Sequence, residues 1–304
     1  MLRWRLIFTA IILLPLLALV VVDYQNYFAA PGILLAPVGL IVALLAASEV
    51  LAMLRSNGHR PVGWTVYAGV SVIYVAACAP LGWSLLGQEY PPDCPLGKLG
   101  WPLVAAALAV GLVFLGEIVR YREPGGVIVN VALAMFAVMY LGLTCSFLAE
   151  LRFFYDNQWG IAAFVSLLFV TKFSDVGAYT FGKLFGRNKL APRLSPGKTI
   201  EGAVGGIATA CLASWVYFQF IVPAMVANAG KPTPLVNSLI FGVLIALAGM
   251  LGDLSESLLK RDLGVKDSSS WLRGLGGVLD ILDSVLAAAP VAFVCWAAGL
   301  VGPA

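Results

Sequence analysis

An all-α polytopic membrane protein is the fold class the sequence predicts, with about nine transmembrane helices, N-terminus inside and C-terminus outside. Three observations carry this. The chain is 61% hydrophobic and only 12% charged, whereas soluble domains carry roughly a quarter charged residues. Apolar runs of about 17–23 residues recur without period-2 alternation, which suits spanning helices and argues against a barrel. The basic residues are also distributed unevenly between alternate loops.

The first run, Leu6–Val22, follows Arg3 and Arg5. It is long for a signal peptide, and Phe28-Ala29-Ala30 makes a poor cleavage site, so it is read as an uncleaved span. Gly32–Leu54, Trp64–Leu86, Trp101–Val119, Val127–Leu148, Gly160–Gly182, Thr199–Val222, Leu235–Gly252 and Ile281–Val301 follow as further spans. With the N-terminus inside, all but three (Lys98, Arg152 and Lys231) of the 19 Lys and Arg fall on the cytoplasmic side, as the positive-inside rule requires. The net charge of +3 says little beside that asymmetry.

Two regions are expected. Residues 1–158 form an N-terminal membrane-helix region with short loops. In it Glu49 and Glu117 lie near span ends, where snorkelling or pairing with Arg55 or Arg120 suffices. Residues 159–304 form a C-terminal catalytic membrane region, whose spans carry charges. No soluble domain and no internal repeat are evident.

Some chemistries are nearly excluded. His59 is the only histidine, which leaves no His-based zinc site and no Ser-His-Asp triad. The five cysteines have no metal-ligand spacing and read as small hydrophobes plus one loop thiol.

Three stretches carry charges that need a reason. Lys172 and Asp175 are three apart and can pair, and Tyr179 and Lys183 continue their helix face. Such a face inside an apolar span looks into the bundle or a water-filled cavity. In Arg187–Gly206, four basic residues surround Ser195-Pro196-Gly197, where a turn is expected to lift Lys198. Pro192 stands where a P-loop needs glycine, so a P-loop is rejected. Gly202 and Gly206 read as close helix packing.

The richest stretch is Gly252–Ser284. Asp253, Glu256, Ser257 and Lys260 share one helix face by their spacing. Arg261, Lys266 and Asp267 follow, Gly274, Gly276 and Gly277 allow a tight turn, and a helix starting near Val278 carries Asp280 and Asp283. Carboxylates converging without His or Cys suit hard cations such as Mg²⁺, and the adjacent Lys and Arg suit phosphate oxygens. Together they are the equipment of phosphoryl or nucleotidyl transfer.

The run Ser257-x-x-Lys260-Arg261-x4-Lys266-Asp267…Gly276-Gly277-x-x-Asp280-x-x-Asp283 resembles the signature of phosphatidate cytidylyltransferases (CDP-diacylglycerol synthases). Asp175-x-x-Ala178-Tyr179-x-x-Gly182, Ser195-Pro196-x-Lys198-Thr199-x-Glu201-Gly202 and Gly205-Gly206 match upstream. The resemblance is specific over roughly Trp159–Ala304. It departs at Leu275, where the family has His, at Ile281, where it has Arg, and at Arg273, where Pro, Gly or Ser is usual.

The resemblance implies transfer of CMP from CTP to phosphatidic acid, giving CDP-diacylglycerol and pyrophosphate, at the cytoplasmic face of a bacterial inner (plasma) membrane. Mg²⁺ is the implied cofactor, and a second, monovalent cation is left open. Asp253, Asp280, Lys260 and Arg261 are expected to be catalytic. Asp175, Ser195, Lys198, Ser257, Lys266 and Asp267 are expected to bind substrate, and Asp253, Asp280 and Asp283 to bind metal. CTP, phosphatidic acid and membrane lipid are the expected partners, without nucleic acid; a homodimer is a family-level expectation. The alternatives are a CTP-dependent lipid-alcohol kinase, an ion-coupled transporter and an inactive family member.

Overall fold

The computed structural model describes residues 14–28, 30–227, 229–269 and 276–303. Arg3, Arg5, the first part of the Leu6–Val22 run, Arg273, Gly274 and Leu275 lie outside the described residues. Among those described, seven helices are long and apolar enough to cross a membrane. They are α2 (Leu35–Ser56), α5 (Gly97–Arg120), the continuous Val127–Arg152, α8 (Asn157–Phe185), the continuous Ile200–Met225, α11 (Leu235–Asp262) and α12 (Val278–Ala297). An eighth crossing forms if α3 (Gly63–Ala77) and α4 (Ala79–Leu85), bent by 56° at their junction, count as one. A shorter apolar helix, α1 (Leu14–Tyr24), precedes them. Many large side chains on these helices are exposed, among them Leu103, Leu108, Ile128 and Leu251. A bilayer accommodates such surface and water does not. This is an integral membrane protein.

Val127–Arg152 comprises α6 (Val127–Val138), a π-helical turn at Met139–Leu143 and α7 (Thr144–Arg152). Ile200–Met225 comprises α9 (Ile200–Val216), a second π turn at Tyr217–Ile221 and α10 (Val222–Met225). The chain forms two compact units. One is Met1–Phe153 with Asp262–Ile281, and the other is Phe154–Arg261 with Leu282–Ala304.

In the first unit, α3 packs on α5 and on the Val127–Arg152 helix through small residues. A methyl at Gly116 of α5 would overlap Thr65 of α3, one at Gly69 would press on Val138 at 2.9 Å, and one at Gly142 on Ile73 at 2.9 Å. α1 is tied to α7 by a buried ion pair: Arg152 donates to Asp23 Oδ2 from Nε at 2.6 Å and from a terminal nitrogen at 2.5 Å. The Gly32 N–H donates to Asp23 Oδ1 at 3.1 Å. Two charge-assisted bonds on one oxygen and a backbone donor on the other help a buried carboxylate offset lost hydration.

In the second unit, α8 and α9 approach along glycines. A methyl at Gly202 would lie 2.8 Å from the Ala178 carbonyl, and one at Gly206 would lie 3.1 Å from the Ser174 carbonyl, so Gly202 and Gly206 do serve packing. α11 and α12 meet as closely, since a methyl at Gly252 would overlap the Asp283 carbonyl oxygen.

Two expectations are corrected. The loop after α8 is not wholly irregular. β1 (Lys189–Ala191) pairs antiparallel with β2 (Ser195–Thr199), with Lys189 opposite Thr199 and Ala191 opposite Ser195. The turn therefore falls at residues 192–194, and Pro196-Gly197 lies inside a strand. A two-stranded ribbon has only edges, where a proline without N–H is tolerated. Glu117 does lie 4.0 Å from Arg120, but Glu49 is a buried hydrogen-bond acceptor, 4% exposed, and not a snorkelling side chain.

Three substitutions test this packing. Gly252→Val is expected to lower stability by roughly 1–3 kcal/mol through overpacking, read as a fall in thermal midpoint in detergent. Gly111→Ala, where a methyl meets nothing within 4 Å, is expected to leave it unchanged. Asp23→Ala removes this carboxylate from buried Arg152 and is expected to cost about 3–5 kcal/mol, measured in the same assay.

Candidate active site

The second unit gathers most of the expected site residues. The helical repeat of α11 places Asp253, Glu256, Ser257 and Lys260, at i, i+3, i+4 and i+7, along one face. Asp283 enters from the second turn of α12. Oxygens of Asp253, Glu256 and Asp283 all lie within 4.8 Å of one another. Glu256 and Asp283 are 1% and 7% exposed.

Ammonium groups offset these charges. Lys198, from β2, places Nζ 2.7 Å from Asp253 Oδ2. Lys260 places Nζ 2.7 Å from Glu256 Oε2, one helical turn away. Lys172 and Asp175 pair on α8 at 3.3 Å, and both lie within electrostatic range of Asp283. Tyr179 and Lys183 continue that face, with the ammonium 5.9 Å from the ring centre.

The hairpin that supplies Lys198 is held at both ends. Glu201 accepts from the backbone of Arg187 at 3.0 Å, from that of Asn188 at 3.1 Å, and from the Asn188 amide at 2.8 Å. Thr199 Oγ1 caps α9 by accepting from the Gly202 N–H at 3.1 Å. At the hairpin turn, Arg261 Nε donates to the Leu194 carbonyl at 3.2 Å. Ser195 is half-buried at the start of β2, and Ser257 is buried on α11.

Asp280, Lys266 and Asp267 belong to the first unit. Lys266 and Asp267 are exposed. Asp280 Oδ2 accepts three bonds there: from Ser268 N at 3.0 Å, Ser268 Oγ at 2.7 Å and Gly277 N at 2.7 Å. Gly276 has φ +83°, a left-handed turn residue as its glycine implies.

Glu256, expected only as a member of the α11 face, takes part in the acidic group, whereas Asp280 is accounted for by hydrogen bonds in its own unit. The spacing of Glu256 from Asp253 was the available signal. Three carboxylates with no sulfur or imidazole donor suit a hard, oxygen-preferring divalent cation, and the burial of two of them leaves little water to do the same work.

The sequence profile of the cytidylyltransferase family matches residues 4–298. A phosphatidate cytidylyltransferase of Chlamydia muridarum is 31% identical over 265 residues, 84% of this chain and 82% of that protein. One of Chlamydia pneumoniae is 29% identical over 286 residues, 92% of this chain and 88% of that protein. A phosphatidate cytidylyltransferase of Haemophilus influenzae is 38% identical over 136 residues, 45% of this chain and only 46% of that protein. Because the family match runs through both units and includes every acid and ammonium described above, the chain belongs to the cytidylyltransferase family.

Proposed function

We propose that the protein transfers CMP from CTP to phosphatidic acid, releasing pyrophosphate and forming CDP-diacylglycerol. The observation that carries this is the convergence of Asp253, Glu256 and Asp283 beside Lys198 and Lys260. Residues 159–304 are the catalytic region in this reading. In this reading the site faces the cytoplasm at a bacterial inner membrane, with the N-terminus inside; the uneven distribution of basic residues between alternate loops supports it.

A phosphate oxygen of phosphatidic acid attacks the α-phosphorus of CTP. A new P–O–P link forms, the bond from the α-phosphorus to the β-phosphate oxygen breaks, and its electron pair leaves with pyrophosphate. The nucleophile is already an anion near neutral pH, so no general base is required, which agrees with a chain whose only histidine is His59. Lys198 and Lys260 neutralise phosphate charge. Arg261 acts partly through the hairpin it holds, and Lys266, Asp267, Ser195, Ser257 and Asp175 orient the substrates. Asp253, Glu256 and Asp283 would hold Mg²⁺, with Asp280, the metal ligand that the sequence resemblance implies, as a further carboxylate for it. When bound, the cation supplies charge compensation on the attacking and leaving oxygens.

CTP labelled at the α-phosphate is expected to label the lipid product, and CTP labelled at the γ-phosphate is not. Transfer of the γ label to a lipid alcohol would replace this reading with that of a CTP-dependent kinase. Asp283→Asn and Glu256→Gln are each expected to lower kcat by about 10²–10³. EDTA is expected to abolish turnover and added Mg²⁺ to restore it. Full rate in either variant would remove that carboxylate from the site.

A further inference from the structure

We propose that Glu49, on α2, is a positioning residue for Asp280, acting through Ser268 and the first turn of α12. This rests on the reading of Asp280 as a group of the transfer site. Glu49 belongs to the region that the sequence marks as plain membrane helix, and its nearest cation in sequence is Arg55.

The geometry assigns it a different task. The Val278 N–H donates to Glu49 Oε1 at 2.8 Å, and the Leu279 N–H donates to Oε2 at 2.9 Å. These are the first two residues of α12, whose N–H groups have no partner inside their own helix. A carboxylate at that end also meets the positive end of the helix dipole. Glu49 therefore caps α12 from about 230 residues away.

Ser268 connects this cap to Asp280. Its Oγ lies 2.9 Å from Glu49 Oε2 and 2.7 Å from Asp280 Oδ2, so one hydroxyl is shared by two carboxylates. Ser268 N and Gly277 N complete the set on Asp280. Two backbone N–H groups and the Ser268 hydroxyl set the Asp280 rotamer, and because that hydroxyl has one proton placed between two carboxylates, Glu49 sets how it is shared with Asp280.

Gly277 shows how tightly this is built. A methyl there would overlap Ser268 Oγ and Glu49 Oε2. The two glycines before α12 thus have different reasons. Gly276 supplies a positive φ, and Gly277 supplies the space that Glu49 and Ser268 occupy. A cap needed for stability alone does not require a hydroxyl shared with a second carboxylate.

The experiment uses the full chain in detergent. Turnover of CTP with phosphatidic acid, Mn²⁺ affinity by electron paramagnetic resonance of the free ion, and thermal midpoint are measured for wild type, Glu49→Gln, Glu49→Asp and Ser268→Ala. Glu49→Gln is expected to lower kcat or Mn²⁺ affinity about 10–100-fold with the KM for CTP unchanged, as loss of a group that orients a ligand does. Glu49→Asp is expected to recover part of that loss. Ser268→Ala leaves both helix N–H bonds to Glu49 in place and is expected to act in the same direction, so it decides the matter if Glu49→Gln does not fold. Ser268→Ala with kcat and Mn²⁺ affinity within about twofold of wild type overturns the proposal. So does a fall in thermal midpoint in the variants without change in kcat or Mn²⁺ affinity per folded protein. A wild-type protein that makes no CDP-lipid counts against the proposed reaction, and the Mn²⁺ affinities then decide the positioning role alone.

Discussion

A carboxylate in a membrane-spanning helix has to be compensated where it stands, because neither lipid nor packed side chains replace its hydration. That constraint arranges the second unit. Glu256 is almost fully buried and has Lys260 one turn along α11. Asp253 is met by Lys198, which comes from a hairpin and not from a helix. Asp175 has Lys172 on its own face of α8. Each of these three acids is met by an ammonium, and the result is an acidic centre with cations beside it. Such cations suit a substrate rich in phosphate oxygens, and the centre suits a hard metal.

Close backbone approach is the second requirement, and glycine meets it. Gly252 lets α11 lie against the carbonyl of Asp283, the residue that supplies the third carboxylate. Gly202 and Gly206 let α9 lie on α8. The packing and the chemistry are therefore not separate properties of the fold. A side chain added at Gly252 disturbs the same α12 turn that carries Asp283, so part of its effect on activity comes through distance between acids.

Much of this was legible in the residues. The spanning helices follow from apolar length, and among the described residues seven of the nine expected segments fall on helices long enough to span, because a bilayer leaves the backbone few alternatives. The Asp253–Lys260 face follows from helical spacing. The hairpin was not legible: strands of three and five residues carry no periodic signal, and Pro196-Gly197 resembles a turn when it is an edge strand. Glu49 was not legible either. Its partners are Ser268, Val278 and Leu279, and no local pattern reports a contact across that sequence separation. Glu256 stood on the right face but within a run of charges that spacing alone does not rank.

The proposed reaction depends most on a divalent cation held by Asp253, Glu256 and Asp283. Anomalous scattering from crystals grown with Mn²⁺ reads that cation without a turnover assay. A peak bounded by oxygens of these three carboxylates is expected, and it is lost in Asp283→Asn crystals. A protein loaded with Mn²⁺ that shows no peak there, or shows its peak elsewhere, would contradict that assignment.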